Sequence, residues 1–150
     1  MAARLGATET FEPGPGVAEA VRARTDNRGA DIVIEVSGAP AALNEAIRIV
    51  GLDGMVVAMS WYSGSFAQLD LSGEFHHNRV HVRASQVDNI NPDLGPLWST
   101  QRRMAAALAL LSRLELAPLF THQFPMDQAA EAYRCVDELR NGLIQCVLTY

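Results

Sequence analysis

The sequence predicts an α/β protein built around a parallel sheet, on three observations. Apolar runs and helical periodicities alternate across residues 8–60. The runs are short and β-branched, as buried strands are. Each helix also fills a crossover of the length that joins parallel strands.

The elements follow in order. Residues 2–6, Ala-Ala-Arg-Leu-Gly, read as the end of a helix with Gly6 as its stop. A helix end with no helix before it predicts further chain upstream. Thr8-Glu9-Thr10-Phe11 is a short strand stopped by Pro13. Residues 17–28 form a helix, with Val17, Ala20, Val21 and Ala23 at spacings of three and four and Asn27-Arg28-Gly29 at its end. Asp31-Ile32-Val33-Ile34-Glu35-Val36 is a strand closed by Ser37-Gly38. Residues 41–50 are a second amphipathic helix, on Leu43, Ala46, Ile47 and Val50, stopped at Gly51, and residues 55–59 are a continuous apolar strand.

The second half has a different texture. Residues 80–84 alternate apolar and polar as a strand does. Residues 89–96 are a loop rich in Pro, Asn and Gly. Residues 100–114 are helical, 119–124 a strand, 126 to about 139 a helix and 143–150 a terminal strand. There is no internal repeat.

Composition bounds the function. Apolar residues make up 49% and charged residues 19% of the 150, which gives enough core for a globular domain. A net charge of −5 argues against a nucleic-acid partner, since neutralising phosphates takes clustered cations. No run approaches the roughly 20 apolar residues of a membrane span. The opening residues lack a secretory signal, and Cys135 and Cys146 form no Cys-x-x-Cys pair, so a cytoplasmic, disulfide-free protein is expected.

Three stretches carry a resemblance. Arg4-Leu5-Gly6-Ala7-Thr8-Glu9 resembles "A-x-x-L-G-A-T". Gly29-Ala30-Asp31-Ile32-Val33-Ile34-Glu35-Val36-Ser37-Gly38 resembles "G-A-D-V-V-I-E-x-x-G". Residues 121–133, Thr-His-Gln-Phe-Pro-Met-Asp-Gln-Ala-Ala-Glu-Ala-Tyr, resemble "T-H-x-F-P-L-x-x-A-x-E-A-Y". In this order and spacing they resemble the C-terminal portion of the medium-chain dehydrogenase/reductases of the zinc-type alcohol dehydrogenase kind.

The resemblance implies a partial Rossmann fold, a doubly wound parallel sheet keeping strands three to six. A C-terminal return segment of a chaperonin-10-like catalytic domain follows. The boundaries it implies are 1–95 for the dinucleotide-binding part and 96–150 for the catalytic part. It also implies NAD or NADP as cofactor, zinc in the parent enzyme, and hydride transfer to or from a small alcohol or carbonyl substrate. A homo-oligomer or a complementing chain is the expected partner. The strand at 8–11 would lack its neighbours, and the edge of the strand at 31–36 would lie open.

The residues that such chemistry needs are only partly present. Gly14-Pro15-Gly16-Val17-Ala18-Glu19 imitates the phosphate-binding G-x-G-x-x-G, with Glu35 where a ribose-reading acid would fall. Glu19 puts a carboxylate where the third glycine belongs, and Pro13 and Pro15 remove two amide donors. The turn therefore reads as the start of a helix whose acidic first turn suits the helix dipole.

A catalytic zinc needs three protein ligands and an open position. His76, His77, His81, His122, Cys135 and Cys146 show no such spacing, so no metal ligand and no catalytic residue is assigned. His76-His77 is expected on the connection before the 80–84 strand, and His122 at an exposed strand position.

What remains is one side of a cofactor crevice at the C-terminal ends of the strands. By the resemblance, Ser37, Gly38, Ala39, Ser60, Trp61, Ser85 and Gln86 contact the nicotinamide ribose and carboxamide. Gly38 would let the backbone pass close to the ribose. Trp61 and Tyr62 either wall the nicotinamide or cover the sheet edge. Trp98 and Met104 are read as core, and Arg102-Arg103 as an exposed helix face. The chain alone is expected to be inactive. Two alternatives stand: a non-enzymatic interaction protein derived from a dehydrogenase, and a doubly wound domain using Gly14-to-Glu19 as its phosphate loop.

Overall fold

The computed structural model describes residues 1–62, 69–138 and 142–150. The chain divides into two compact units, Met1–Asn91 and Pro92–Tyr150.

The first unit holds a three-stranded parallel sheet of β1 (Ala30–Glu35), β2 (Val50–Ala58) and β3 (His81–Ala84), in the order β1-β2-β3. Helix α1 (Val17–Arg24) precedes β1, α2 (Pro40–Ile49) joins β1 to β2, and the short α3 (Glu74–His77) leads into β3. The periodicity that predicted α2 is the one that packs. Leu43, Ala46 and Ile47 are buried on its inner face, and they meet Val50, Val56 and Val80 in one cluster. Val33, Tyr62, Leu69 and Phe75 close around it. Ile32, Ile34 and Val36, on the opposite face of β1, are 60–69% exposed, so within this unit the helices cover one face of the sheet.

Several local readings need correction. Residues 8–11 form no strand; an extended segment earns that description only with a ladder partner, and among the described residues they have none. Glu9 is instead clasped by the Arg24 guanidinium at 2.8–2.9 Å. The sheet thus holds the counterparts of the expected fourth, fifth and sixth strands and not the third.

Helix α1 stops at Arg24, four residues early. Thr25 donates its hydroxyl to the Val21 carbonyl and accepts the Gly29 amide, while Asp26 and Asn27 turn left-handed. Gly51 does not stop α2. The chain passes directly into β2 at Val50, and Gly51 is a strand residue pressed against backbone: a Cβ there would lie 2.3 Å from the Arg28 carbonyl oxygen. Gly6 does cap the opening turn, a 3₁₀ helix over Ala2–Leu5, at φ 102°.

The second unit pairs β4 (Phe120–Pro125) with β5 (Gln145–Thr149) in parallel, crossed over by α5 (Ala129–Asp137). Ala132 and Cys135 are the buried side chains of α5. Helix α5 ends at Asp137; the expected end at about 139 lies outside the described residues. Helix α4 (Thr100–Leu111) begins at a Ser99 N-cap, whose hydroxyl accepts the Arg102 amide at 3.2 Å. It buries no residue: Met104 is 55% exposed, which overturns its reading as core. Trp98 is half-buried and lies under the Arg102 guanidinium at 4.7 Å. His122 is half-buried, not exposed, because its face of β4 is the one with the lower exposure; its Nδ1 lies 3.1 Å from the Thr121 hydroxyl.

Candidate cofactor crevice

Parallel strands end on the same side of a sheet, so β1, β2 and β3 deliver their following residues to one rim. The ladder continues slightly past each strand. The Met59 amide donates to the Glu35 carbonyl at 2.9 Å, and the Ser85 amide to the Ala58 carbonyl at 2.8 Å. Ser37-Gly38-Ala39, Ser60-Trp61-Tyr62 and Ser85-Gln86 therefore follow neighbouring strand ends, and the seven residues singled out from sequence share one rim.

The β1 and β2 loops touch. Gly38 has φ +71°, and a Cβ on it would lie 2.9 Å from the Trp61 carbonyl oxygen and 3.5 Å from the Ser60 Cβ. This accounts for glycine at position 38 by loop-against-loop packing, with no ligand needed.

Beneath the loops lies Glu35, 5% exposed and the one buried charged residue among the described residues. Its Oε1 accepts the Ser37 amide at 2.6 Å and the Ser37 hydroxyl at 2.5 Å, and its Oε2 accepts the Tyr62 hydroxyl. Ser37 in turn accepts the Ala39 amide at 3.2 Å. Burial alone would raise the carboxyl's pKa. The Ser37 and Tyr62 hydroxyls and the amides of Ser37 and Gly38 outweigh it and hold Glu35 below its ordinary value. The same contact acts in reverse on Tyr62. Burial first, then the Glu35 carboxylate, pushes the phenol up to about 12.

The rim's outward surface is polar and open. Trp61 is 89% exposed. The hydroxyls of Ser60 and Ser85 show no hydrogen-bond partner among the described residues and stand ready for a ligand's hydroxyls or amide. Gln86 is less available: its amide is closed on Asp88, donating at 3.2 Å and accepting the Asp88 amide at 2.5 Å.

The Gly14-to-Glu19 turn is already occupied by protein. The Ala18 amide at the start of α1 donates to the Glu45 carboxylate at 2.9 Å, and Glu19 pairs with Arg48. Among the described residues no group of three or more His, Cys, Asp or Glu side chains comes together as a metal cage, so they do not fit zinc. His76 and His77 meet edge to face as the last two, exposed residues of α3, and Cys135 and Cys146 are free thiols. No helix of the described residues is long and apolar enough to cross a membrane.

Sequence reasoning names the rim but misses its anchor. It offers Glu35 only as a ribose reader, and Tyr62 as a wall of the nicotinamide or a cover for the sheet edge. An acid at the end of a β-branched strand, two residues before a serine, was the available signal.

The sequence profile of the zinc-binding dehydrogenases matches residues 1–112. The chain belongs to that family, a group of oxidoreductases within the medium-chain dehydrogenase/reductases. It is similar to the L-threonine 3-dehydrogenase of Symbiobacterium thermophilum, 29% identical over 150 residues and covering 98% of this chain. It is also similar to the 5-exo-hydroxycamphor dehydrogenase of Pseudomonas putida, 29% identical over 144 residues, 91% of this chain and 37% of that protein. Among solved structures, the alcohol dehydrogenase of Thermus sp. ATN1 superposes with a TM-score of 0.75 at 24% identity, covering 99% of this chain and 40% of that one, and shares its α/β fold. The chain spans about 40% of the length of the first curated relatives it matches.

Proposed function

We propose that this chain supplies the nicotinamide-ribose side of the dinucleotide crevice of an NAD- or NADP-dependent dehydrogenase acting on a small alcohol or carbonyl compound. The observation that carries this reading is the shared rim of β1, β2 and β3 in a chain of this family, with serine hydroxyls that have no partner among the described residues and an open indole. In this reading residues 1–95 belong to the dinucleotide-binding part and 96–150 to a catalytic domain.

The nicotinamide, when bound, supplies the hydride acceptor or donor. The chain's own residues orient it. Ser60 and Ser85 hydroxyls hydrogen-bond ribose or carboxamide, Trp61 covers one ring face and excludes water, and the Ser37-Gly38-Ala39 turn sets the floor. Gln86 joins only by opening from Asp88. Zinc, expected in the parent enzyme, has no cage among the described residues of this chain, so no proton or substrate step is assigned to them. The 150 residues alone carry no turnover in this account, and partnership with a complementing chain or a second copy is part of it.

Tryptophan fluorescence tests the reading. Nicotinamide mononucleotide should quench Trp61 saturably, the Trp61→Phe variant should lose that response, and adenosine diphosphate should give none. Absence of quenching, or equal quenching by adenosine diphosphate, refutes it. Zinc-dependent alcohol oxidation by the chain alone refutes the assignment of turnover elsewhere.

A second reading, an interaction protein, draws on the exposed Ile32, Ile34 and Val36 beside an edge of β1 that pairs with no strand among the described residues. A specific oligomer that persists without nucleotide, seen by sedimentation, favours it.

A further inference from the structure

We propose that Glu35 is a positioning residue that bridges the two loops of the rim and sets the spacing at which they receive the nicotinamide ribose. This deepens the function proposed above and rests on it. The geometry is direct. One carboxylate oxygen holds the β1 loop through the Ser37 amide and hydroxyl, and the other holds the β2 loop through the Tyr62 hydroxyl. Ser37 passes the restraint on to Ala39 through its own acceptor oxygen.

The loops also meet backbone to Cα, Gly38 against Trp61. That contact prevents them from closing further, while the carboxylate prevents them from parting. Glu35 itself is 5% exposed, so it lies below the rim and acts through Ser37 and Tyr62. The Tyr62 ring, packed on the core cluster around Ile47 and Val56, fixes the bridge to the rigid part of the unit. A carboxylate suits this place because its two oxygens accept from several donors at once, and charge-assisted bonds hold geometry more tightly than neutral ones. A preorganised pair of loops leaves less ordering to be done when a ligand binds.

The test uses the whole chain with nicotinamide mononucleotide as probe, read by Trp61 fluorescence, together with amide hydrogen exchange. Glu35→Ala should weaken binding about tenfold, and Glu35→Gln should restore it to within about threefold, because the side-chain amide keeps an acceptor for Ser37 and offers a donor to the Tyr62 oxygen. Tyr62→Phe removes a single oxygen and is the safeguard against misfolding. It should weaken binding on its own and add nothing to Glu35→Ala, since both break one bridge. In the free protein it should speed exchange of the Ser37 and Gly38 amides, which belong to the other loop, about tenfold.

Additive effects of the two substitutions, or no rescue by glutamine, overturn the proposal. So does unchanged exchange at Ser37 and Gly38 in Tyr62→Phe. A wild-type chain that ignores the mononucleotide while its exchange still responds to Tyr62→Phe overturns the cofactor reading and retains the bridge. A chain that binds normally with Tyr62→Phe retains the cofactor reading and overturns the bridge.

Discussion

Replacing Gly51 with alanine should destabilise the first unit by about 2 kcal/mol, and the structure says why. Gly51 is buried in β2, and its missing Cβ would lie 2.3 Å from the Arg28 carbonyl oxygen and 3.3 Å from the Arg28 carbonyl carbon. That is roughly 1 Å inside ordinary contact. Neither side can yield cheaply. The facing turn is held by the Arg28 amide on the Thr25 carbonyl at 2.9 Å and by the Gly29 amide on the Thr25 hydroxyl at 3.0 Å. The adjoining Gly29 is as tight: a Cβ there would lie 2.7 Å from the Ile49 carbonyl oxygen and 2.9 Å from the Gly51 amide nitrogen.

Overpacking of this kind costs about 3 kcal/mol at the upper end of its usual range. Alanine narrows the unfolded ensemble and returns about 0.4–1 kcal/mol, which leaves about 2 kcal/mol. With a urea slope of about 1.5 kcal/mol/M, the unfolding midpoint followed by circular dichroism should fall by roughly 1.3 M. A midpoint within about 0.3 M of the wild type, with the slope unchanged, would show that the backbones do not meet as described.

Four further outcomes follow from the same contacts. Ile47→Ala removes a side chain 1% exposed in the core cluster and should cost about 2–5 kcal/mol in the same urea assay. Arg22→Met loses the guanidinium bonds to the Arg48 and Val50 carbonyls, at 2.8 and 3.1 Å, and should cost about 1.5–3 kcal/mol. Ser99→Ala removes the N-cap of α4 and should reduce stability of that helix by about 1 kcal/mol, read as lower ellipticity at 222 nm in a thermal ramp.

The last outcome concerns pH. Glu35 is depressed in the folded state, so its stabilising contribution is present above the ordinary carboxylate value of 4.5 and is lost as pH falls through its lowered value. Glu35→Gln should therefore flatten the acid limb of the stability profile. Tyr62 is raised, so its contribution is present below 10 and is lost as pH rises through about 12. Absorbance titration near 295 nm should detect one phenol ionising that late.

What could be read in advance was whatever depends on local patterning. The run from Asp31 to Val36 and the apolar stripe Leu43-Ala46-Ile47 carry their own periods; the stripe packs as expected and the run forms β1, although Ile32, Ile34 and Val36 are exposed where a buried strand was expected. The Gly6 stop was legible because a left-handed cap favours glycine.

The misreadings share one cause, the need for a partner distant in sequence. Thr8 to Phe11 has the composition of a strand but no ladder to join. Gly51 looked like a helix stop because its real neighbour, the Arg28 carbonyl, is 23 residues back. Met104 sits at a core-like spacing in α4 yet is exposed. The rim residues were recoverable as strand ends and the Glu35–Ser37 half of the bridge had a local signal, whereas its Tyr62 half, 27 residues from Glu35, left no local trace.

Where a nicotinamide ring sits on this chain decides whether the rim of β1, β2 and β3 is a cofactor crevice. Intermolecular nuclear Overhauser effects between the ring protons of nicotinamide mononucleotide and the isotope-labelled protein measure that directly. Contacts to the Trp61 indole and to residues 37–39, 60 and 85 are the expected result. Contacts confined to the Gly14-to-Ala18 turn, or to the second unit, would contradict it.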